Sequence, residues 1–155
     1  MLTDMTTIDA LADRTIGCAI AVHKALGPGV LENPITRAFA IELTAQRIPF
    51  RRDVPIDLWY KGQPPGCGYR LDLLIDDTIV IEVKSVKEFA DVHHKQLLSY
   101  LKLTGRPLGL LINFNVPILR DGVSRSINTT ARQENAVGVV RPAKPPPEQV
   151  TDEEY

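Results

Sequence analysis

The chain has 155 residues, 44% of them hydrophobic and 24% charged, a composition typical of one globular domain with a sizeable core. Its net charge of −1 lacks the overall basic excess of many nucleic-acid-binding proteins, although it is compatible with a local basic patch. Cys18 and Cys67 form neither a metal-ligand spacing nor a disulfide framework, and no apolar run approaches the length of a membrane span. We therefore expect a cytoplasmic protein with reduced thiols and without a membrane segment.

The first part of the chain is predicted to be helical. Apolar residues recur with helical period over residues 8–26, and the Gly-Pro-Gly sequence at 27–29 predicts the end of this helix. A second amphipathic helix is predicted over about residues 34–46. Asn33 and Pro34 are its predicted N-cap and first helical residue.

Apolar and polar residues then alternate, which indicates β-strands. The first strand is predicted in "RRDVPIDLWYKG" (51–62), the second in "YRLDLLI" (69–75) and the third in "TIVIEVKSV" (78–86). Asp76 and Asp77 are the predicted tight turn between the last two strands. These short connections predict an antiparallel meander of three strands.

A helix follows the meander and leads to a buried strand. "KEFADVHHKQLLSYLKL" (87–103) is amphipathic, and "PLGLLINF" (107–114) is a nearly continuous apolar run. Because a helix between two strands of one sheet indicates a crossover, we expect the strand at 107–114 to run parallel to the third strand. "ILRDGVSRSI" (118–127) predicts an edge hairpin that turns around Asp121-Gly122.

The hydrophobic pattern fades near the C-terminus. We predict a single domain at residues 1–128, followed by a flexible, Pro-rich acidic tail at residues 129–155. The predicted element order is α-α-β-β-β-α-β-β. This order indicates an α/β fold with one mixed sheet and helices on its faces.

Two acidic residues and a lysine are predicted to meet on the second and third strands. Glu82 and Lys84 share one face of their strand, and the turn between the strands places Asp72 across from Glu82. Two carboxylates on an apolar sheet repel each other, and a Mg²⁺ or Mn²⁺ ion relieves that repulsion, with the Val83 carbonyl as a further ligand. This chemistry suits phosphodiester hydrolysis, in which Lys84 orients a water molecule or stabilises developing charge. The alternative is a surface ion pair between Glu82 and Lys84.

The helix after these strands adds two candidate residues. Gln96 and Tyr100 are four residues apart and therefore lie on one helix face, which His93 shares. A glutamine and a tyrosine at this place are able to reach a metal-bound phosphate or a nucleotide. The alternative is that Tyr100 packs in the core and that Gln96 is solvated.

Four segments resemble the GxxExxY family of the PD-(D/E)XK nuclease superfamily, and together they span roughly residues 8–128. They are "VHKALGPGVLEN", "YRLDLLIDDTIVIEVKSV", "HHKQLLSYLKLTGRPLGLLINFN" and "LRDGVSRSIN". The resemblance implies a restriction-endonuclease-like fold, Mg²⁺ or Mn²⁺ as cofactor, and nuclease activity on DNA or RNA. The residues implied are Asp72, Glu82 and Lys84 for metal binding and catalysis, Glu32 as an additional acidic residue before the sheet, and Gln96 and Tyr100 as the Gln-x-x-x-Tyr pattern of the exonuclease-like branch.

The sequence departs from this family at its name motif. Gly29 and Glu32 are present, but Ile35 stands where the motif has tyrosine, and Pro34 precedes it. If the second helix begins at about Asn33, Glu32 lies just outside it; if the helix begins near Gly29, Pro34 lies within its first turns. These departures suggest an alternative function, a nuclease-fold binding module that is catalytically weak or inactive.

The remaining candidates concern nucleic-acid contacts. Arg51, Arg52 and Arg70 are suited to contact a phosphate backbone or are solvated charges at the strand edges, and the latter interpretation is the default. Trp59 is interpreted as core or sheet cover and not as a base-stacking platform. Nothing in the sequence predicts a homo-oligomer.

Overall fold

The structure is a computed structural model and describes residues 1–63, 68–129 and 136–145. Within these ranges, three α-helices and six strands follow one another in the order predicted, with one additional strand at the end. They are α1 (Met5–Leu26), α2 (Glu32–Ala45), β1 (Phe50–Tyr60), β2 (Tyr69–Ile75), β3 (Ile79–Lys84), α3 (Asp91–Thr104), β4 (Leu108–Asn113), β5 (Val123–Ile127) and β6 (Ala136–Val140).

The six strands form one mixed sheet in the order β5-β4-β3-β2-β1-β6. Strands β3 and β4 are parallel, as the crossover through α3 predicted, and all other neighbours are antiparallel. The predicted mixed α/β fold of the restriction-endonuclease-like type is therefore confirmed. Within the described ranges, no helix is long and apolar enough to cross a membrane.

Helices cover both faces of the sheet and create two hydrophobic clusters. On one face, α1 and α2 pack through Ile8 and Phe39 against residues such as Ile81 of β3. On the other face, α3 packs through Leu97 and Leu101 against β2, β3 and β4. Because β3 and β4 are buried on both faces, their sequences are almost continuously apolar, and a charged residue on them is an exception that calls for an explanation.

The first two helices begin earlier than predicted. Helix α1 starts at Met5 because Asp4 accepts a hydrogen bond from the Thr7 amide at 3.0 Å and caps the helix. Helix α2 starts at Glu32, so the predicted N-cap role of Asn33 is wrong. Pro34 is tolerated in the first turn of α2, where amide groups have no partner within the helix.

The C-terminal part of the sheet corrects two predictions. No hairpin turns at Asp121-Gly122; instead, a 3-10 helix at Leu119–Gly122 leads into β5, which pairs with β4. Strand β6 lies within the predicted tail and pairs with β1, so the sheet extends beyond the predicted domain end at residue 128. The five-residue apolar run "AVGVV" is too short to give a clear pattern, and it forms a strand because the outer edge of β1 offers free hydrogen-bonding groups. The other tail residues, 130–135 and 146–155, lie outside the described ranges.

Candidate metal centre

Strand β2 changes faces at Asp72. In a regular strand, residues two apart face the same side, but Leu71 packs in the α3 cluster and Leu73 in the α1 and α2 cluster. The pairing of β2 with β3 also ends at this level, with Leu73 opposite Ile81. The two strands therefore separate at Asp72, and local backbone amides lose their ladder partners.

Strand β1 changes faces at the same level. Phe50 packs towards the α1 and α2 cluster, whereas Val54 belongs to the α3 cluster. Between them, Asp53 has a φ of 47°, a left-handed conformation that is uncommon outside glycine. The register places Asp53 opposite Asp72, since Val54 pairs with Leu71 and the antiparallel order continues by one residue. The sheet thus bends at an Asp53–Asp72 pair.

The carboxylates of Asp72 and Glu82 replace the missing ladder bonds. The Val83 amide donates a hydrogen bond to Asp72 Oδ2 at 2.8 Å, and the Asp72 amide donates to Glu82 Oε1 at 3.3 Å. Each side chain thus binds the backbone of the strand that carries the other. This reciprocal arrangement fixes both side chains and, among the described residues, leaves one oxygen of each carboxylate without a backbone donor. The predicted convergence of the two acidic residues is present in the geometry.

Burial and mutual repulsion favour the protonated forms of this pair. Glu82 is only 7% exposed, and burial together with the neighbouring Asp72 charge raises the pKa of Glu82 to about 9. Burial also raises the pKa of Asp72, although the hydrogen bond from the Val83 amide opposes this shift. In the absence of a cation, the pair therefore holds a proton at neutral pH. A divalent cation bound by the two carboxylates would neutralise their charges. It would thereby offset both the cost of burying those charges and their mutual repulsion.

Lys84 lies on the same sheet face as Glu82 but does not form the alternative ion pair with it. Within the described ranges, no carboxylate oxygen lies within 4.0 Å of the Lys84 ammonium group. Its positive charge nevertheless acts on both carboxyl groups and opposes the upward shifts in the pKa of Asp72 and Glu82. The half-buried Lys84 is thus near the pair with its ammonium group available to another ligand.

Glu32 reaches the site from the first turn of α2. Its Oε1 accepts a hydrogen bond from the Ser85 amide at 3.3 Å, just after the end of β3. The Ser85 hydroxyl donates to the Val30 carbonyl at 2.7 Å, which joins the loop before α2 to the same position. The negative charge of Glu32 contributes to the raised pKa of Asp72, so the two carboxylates are near each other.

Gln96 and Tyr100 interact directly on α3. Gln96 Nε2 donates a hydrogen bond to the Tyr100 hydroxyl at 2.9 Å, and the ring of Tyr100 packs in the α3 cluster. Burial, followed by the charge of Glu82, raises the pKa of Tyr100 to about 12, which keeps its hydroxyl protonated. Tyr100 is therefore a core residue, as the alternative interpretation had it, and the exposed Gln96 is bound to its hydroxyl. The contact with a phosphate or a nucleotide stays a prediction. The ring of Tyr69 lies 5.1 Å from that of Tyr100.

Two hydrogen-bonding roles near these elements were not identified from the sequence, although His93 was placed on the helix face of Gln96 and Tyr100. Asn113, at the end of β4, accepts a hydrogen bond from the Val86 amide at 3.1 Å and donates to the Val86 carbonyl at 2.8 Å. It thereby fixes the chain that leaves β3. His93 accepts a hydrogen bond from the Ala90 amide at 3.1 Å at the start of α3. An asparagine following a buried strand was the only available sequence signal for Asn113.

A polar cleft of about 330 Å³ opens beside Asp72. It lies between the start of α2 and the bend of β1 and β2. Its walls are formed by Glu32, Asn33, Thr36, Arg52, Asp53, Arg70 and Asp72. Within the described ranges, no three His, Cys, Asp or Glu residues are placed to hold a metal ion. The paired carboxylates of Asp72 and Glu82 are oxygen donors of the kind that a hard divalent cation takes, and such an ion, when it keeps several waters, needs only one or two carboxylates.

The bent mixed sheet, with paired carboxylates and a lysine at the point where its strands separate, defines a nuclease-type α/β domain. Residues 9–126 match the family model described as the PD-(D/E)XK nuclease superfamily, and the chain therefore belongs to that superfamily. Neither a curated protein nor a solved structure gives a significant match.

Proposed function

We propose that the protein is a Mg²⁺- or Mn²⁺-dependent nuclease that hydrolyses phosphodiester bonds of DNA or RNA. The reciprocal hydrogen bonds of Asp72 and Glu82 are the single observation that supports this proposal most strongly. A pair of buried carboxylic acids with no binding role would only destabilise the fold, because burying such groups costs free energy. Asp72, Glu82 and the Val83 carbonyl are the proposed metal ligands. A bound ion would supply charge for the phosphoryl oxygen and lower the pKa of a coordinated water.

The residues around the proposed ligands orient the substrate and the water. Lys84 is placed to hold the attacking water or to stabilise negative charge on the phosphate, because its ammonium group has no ion-pair partner in the described part of the chain. Gln96 is exposed and is held by the Tyr100 hydroxyl, on which the charges of Glu82 and Asp72 act, so Gln96 is suited to contact the substrate. Glu32 positions the loop after β3 through Ser85.

Within the superfamily, we propose that the protein belongs to the GxxExxY branch. Gly29 and Glu32 of the motif are present, and the bond from Glu32 to Ser85 gives the acidic residue a defined place at the site. Ile35, at the tyrosine position, is 1% exposed and packs in the α1 and α2 cluster. This position therefore contributes to the packing of the core. The presence of Ile35 instead of tyrosine removes no side-chain group that faces the cleft.

A second candidate function is a binding module that retains the nuclease fold without turnover. The raised pKa of Glu82 favours this function, because a proton held by the buried pair competes with a metal ion for the same oxygens. Stabilisation by metal distinguishes the two, since a ligand that binds only the folded state raises the melting temperature. A nuclease is expected to melt at a higher temperature with Mn²⁺, whereas an inactive module that has lost metal binding would not respond.

The proposal is tested by cleavage assays on single- and double-stranded DNA and RNA, with Mg²⁺ or Mn²⁺ and with a chelator. We expect cleavage only with metal, and a loss of at least about 100-fold in Asp72→Asn, Glu82→Gln and Lys84→Gln, as for other groups that act on the reacting atoms. Asp121→Asn, an equivalent change at an exposed residue of the 3-10 helix, is the matched control. Cleavage that persists in the three site variants would refute the assignment.

A further inference from the structure

Two arginines beside the candidate metal centre have no partner in the part of the chain that the structure describes. Arg52 and Arg70 are exposed, and within the described ranges neither guanidinium group has a hydrogen bond or an ion pair. Arg106, Arg125 and Arg141, in contrast, are paired with aspartates. The two free guanidinium groups line the same cleft as Asp72 and are available to an external anion.

Arg52 and Arg70 lie on opposite sides of Asp72 along the bent strands. Arg70 is two residues before Asp72 on β2, and Arg52 is opposite Leu73, on the other side of Asp72. Arg70 itself is opposite Pro55, so the two arginines are three strand positions apart, or about 10 Å at the usual rise per residue. A ligand that contacts both arginines must therefore pass over Asp72.

Two further depressions of the surface are each lined by one of these arginines. Arg52 also lines a depression of about 440 Å³ along α2, together with Arg37 and Ile41. Arg70 also lines one of about 160 Å³ at the far end of β2, together with Tyr69. The three depressions are thus adjacent, and together they are called the groove. Asp72 lines the middle depression, and Arg52 and Arg70, which have no partner among the described residues, lie between it and its two neighbours.

We propose that Arg52 and Arg70 bind two phosphates of a nucleic-acid backbone that flank the phosphodiester placed at Asp72 and Glu82. This assignment rests on the proposed nuclease function, because Asp72, a proposed metal ligand, lines the cleft between the two arginines. The guanidinium fork matches the geometry of phosphate oxygens, and arginine is the side chain suited to bidentate phosphate contacts. A small anion is a poorer candidate, since Glu32 and Asp72 face the same cleft and repel an isolated negative charge there.

The direct test is the salt dependence of binding, measured by fluorescence anisotropy with labelled single- and double-stranded DNA and RNA in the presence of a chelator. Each lost phosphate contact reduces the slope of log K against log salt by about 0.7 for single strands and by about 0.9 for duplex DNA. We expect this reduction in Arg52→Gln and in Arg70→Gln for at least one of the four nucleic acids. Arg120→Gln, an exposed arginine outside the groove, should keep the slope of the unmodified protein.

Lysine variants separate the loss of a phosphate contact from a structural effect. Arg52→Lys and Arg70→Lys keep a point charge and should retain most of the slope, while losing affinity through the missing bidentate contact. Melting temperatures should be unchanged in all four variants because both side chains are exposed and without partners. Unchanged slopes in the glutamine variants, or no salt-dependent binding of any nucleic acid by the unmodified protein, would overturn this inference.

Cleavage kinetics distinguish this inference from the nuclease proposal. With Mg²⁺, Arg52→Gln and Arg70→Gln should raise KM more than they lower kcat, whereas Asp72→Asn should abolish cleavage and keep the salt slope. Cleavage with unchanged KM and slope in the arginine variants would refute the arginine contacts alone. Arginine-dependent binding without any cleavage would refute the nuclease function alone and support the phosphate contacts.

Discussion

Glu32 and Ser85 connect the first turn of α2 to the end of β3 through a hydrogen bond of 3.3 Å between a carboxylate oxygen and a backbone amide. This bond fixes a carboxylate next to the cleft although the two residues are 53 positions apart in the sequence. It also couples the helix layer to the strand that carries Glu82 and Lys84. Glu32, which the resemblance implied as an additional acidic residue, therefore also connects the helix layer to the sheet.

The first prediction concerns this connection. Glu32→Ala removes the bond to Ser85 and should lower nuclease activity by about 10–100-fold, the range typical of residues that support metal ligands. Glu32→Gln keeps an acceptor for the Ser85 amide and should retain more activity than the alanine variant. The measurement is cleavage rate against Mg²⁺ concentration, with Glu42→Ala at the other end of α2 as the control. Equal losses of activity in the two Glu32 variants would show that cleavage depends on the negative charge of Glu32 and not on its hydrogen bond with Ser85.

The second prediction concerns the pH dependence of stability without metal. Glu82 has an ordinary pKa of 4.5 in the unfolded chain, but its pKa is about 9 in the folded protein. Between these values the folded state binds the additional proton, so this residue makes the free energy of unfolding fall as the pH rises. Glu82→Gln cannot ionise and should gain in melting temperature relative to the unmodified protein between pH 5 and pH 9. For a chain of this size, each 1 kcal/mol corresponds to about 2–4 °C.

This experiment needs a chelator, because a bound metal would replace the proton. Glu88→Gln, at an exposed position before α3, is the matched control and should give a curve parallel to that of the unmodified protein. If the difference in melting temperature between Glu82→Gln and the unmodified protein stays constant over this pH range, Glu82 does not hold a proton in the folded state.

The third prediction concerns the pair of Gln96 and Tyr100. Tyr100→Phe keeps the buried ring and removes the hydroxyl that accepts the Gln96 hydrogen bond, so the free energy of unfolding should fall by only about 1 kcal/mol. Activity should fall in Tyr100→Phe and in Gln96→Ala. Because the two side chains are in contact, the double variant should lose less than the product of the single effects. Tyr60→Phe, at an exposed tyrosine, is the control. If the double variant loses activity by the full product of the single effects, Gln96 and Tyr100 have no joint role.

The fourth prediction tests whether β6 is part of the sheet. A Cβ atom at Gly138 would lie 2.9 Å from Ile56 Cγ2 and 3.1 Å from Leu103 Cβ, so this glycine is packed between β1 and α3. Gly138→Val should destabilise the protein by about 1–3 kcal/mol, as overpacking does, which thermal or urea unfolding would detect. Val139→Thr, at a neighbouring exposed position, should have little effect. Equal stability of the two variants would place the segment outside the fold.

The central strands and the main site residues could be predicted from the sequence because their patterns are local. The apolar run of β4 indicated burial, and the helix before it indicated the parallel crossover, which the pairing of β3 with β4 confirms. Alternation within β3 placed Glu82 and Lys84 on one face, and the short turn brought Asp72 near them. Each of these inferences needs only neighbouring residues and the geometry of a strand.

The other features depend on contacts that are remote in the sequence. Simple alternation would put Leu71 and Leu73 on one face, and only the bend at Asp53 and Asp72 separates them. Strand β6 forms because the edge of β1 is available, and its own five residues carry little signal. From the sequence, the default interpretation of Arg52 and Arg70 was that they are solvated charges. In the fold they lie on either side of Asp72.

The most direct test of the account is anomalous diffraction from a crystal of the protein soaked in Mn²⁺. We predict one strong peak between Asp72 and Glu82, within about 2.0–2.6 Å of an oxygen of each carboxylate. The peak should disappear in Asp72→Asn and remain in Asp121→Asn. A Mn²⁺ peak elsewhere, or none at a concentration that supports cleavage, would contradict the claim that these two carboxylates hold the catalytic metal.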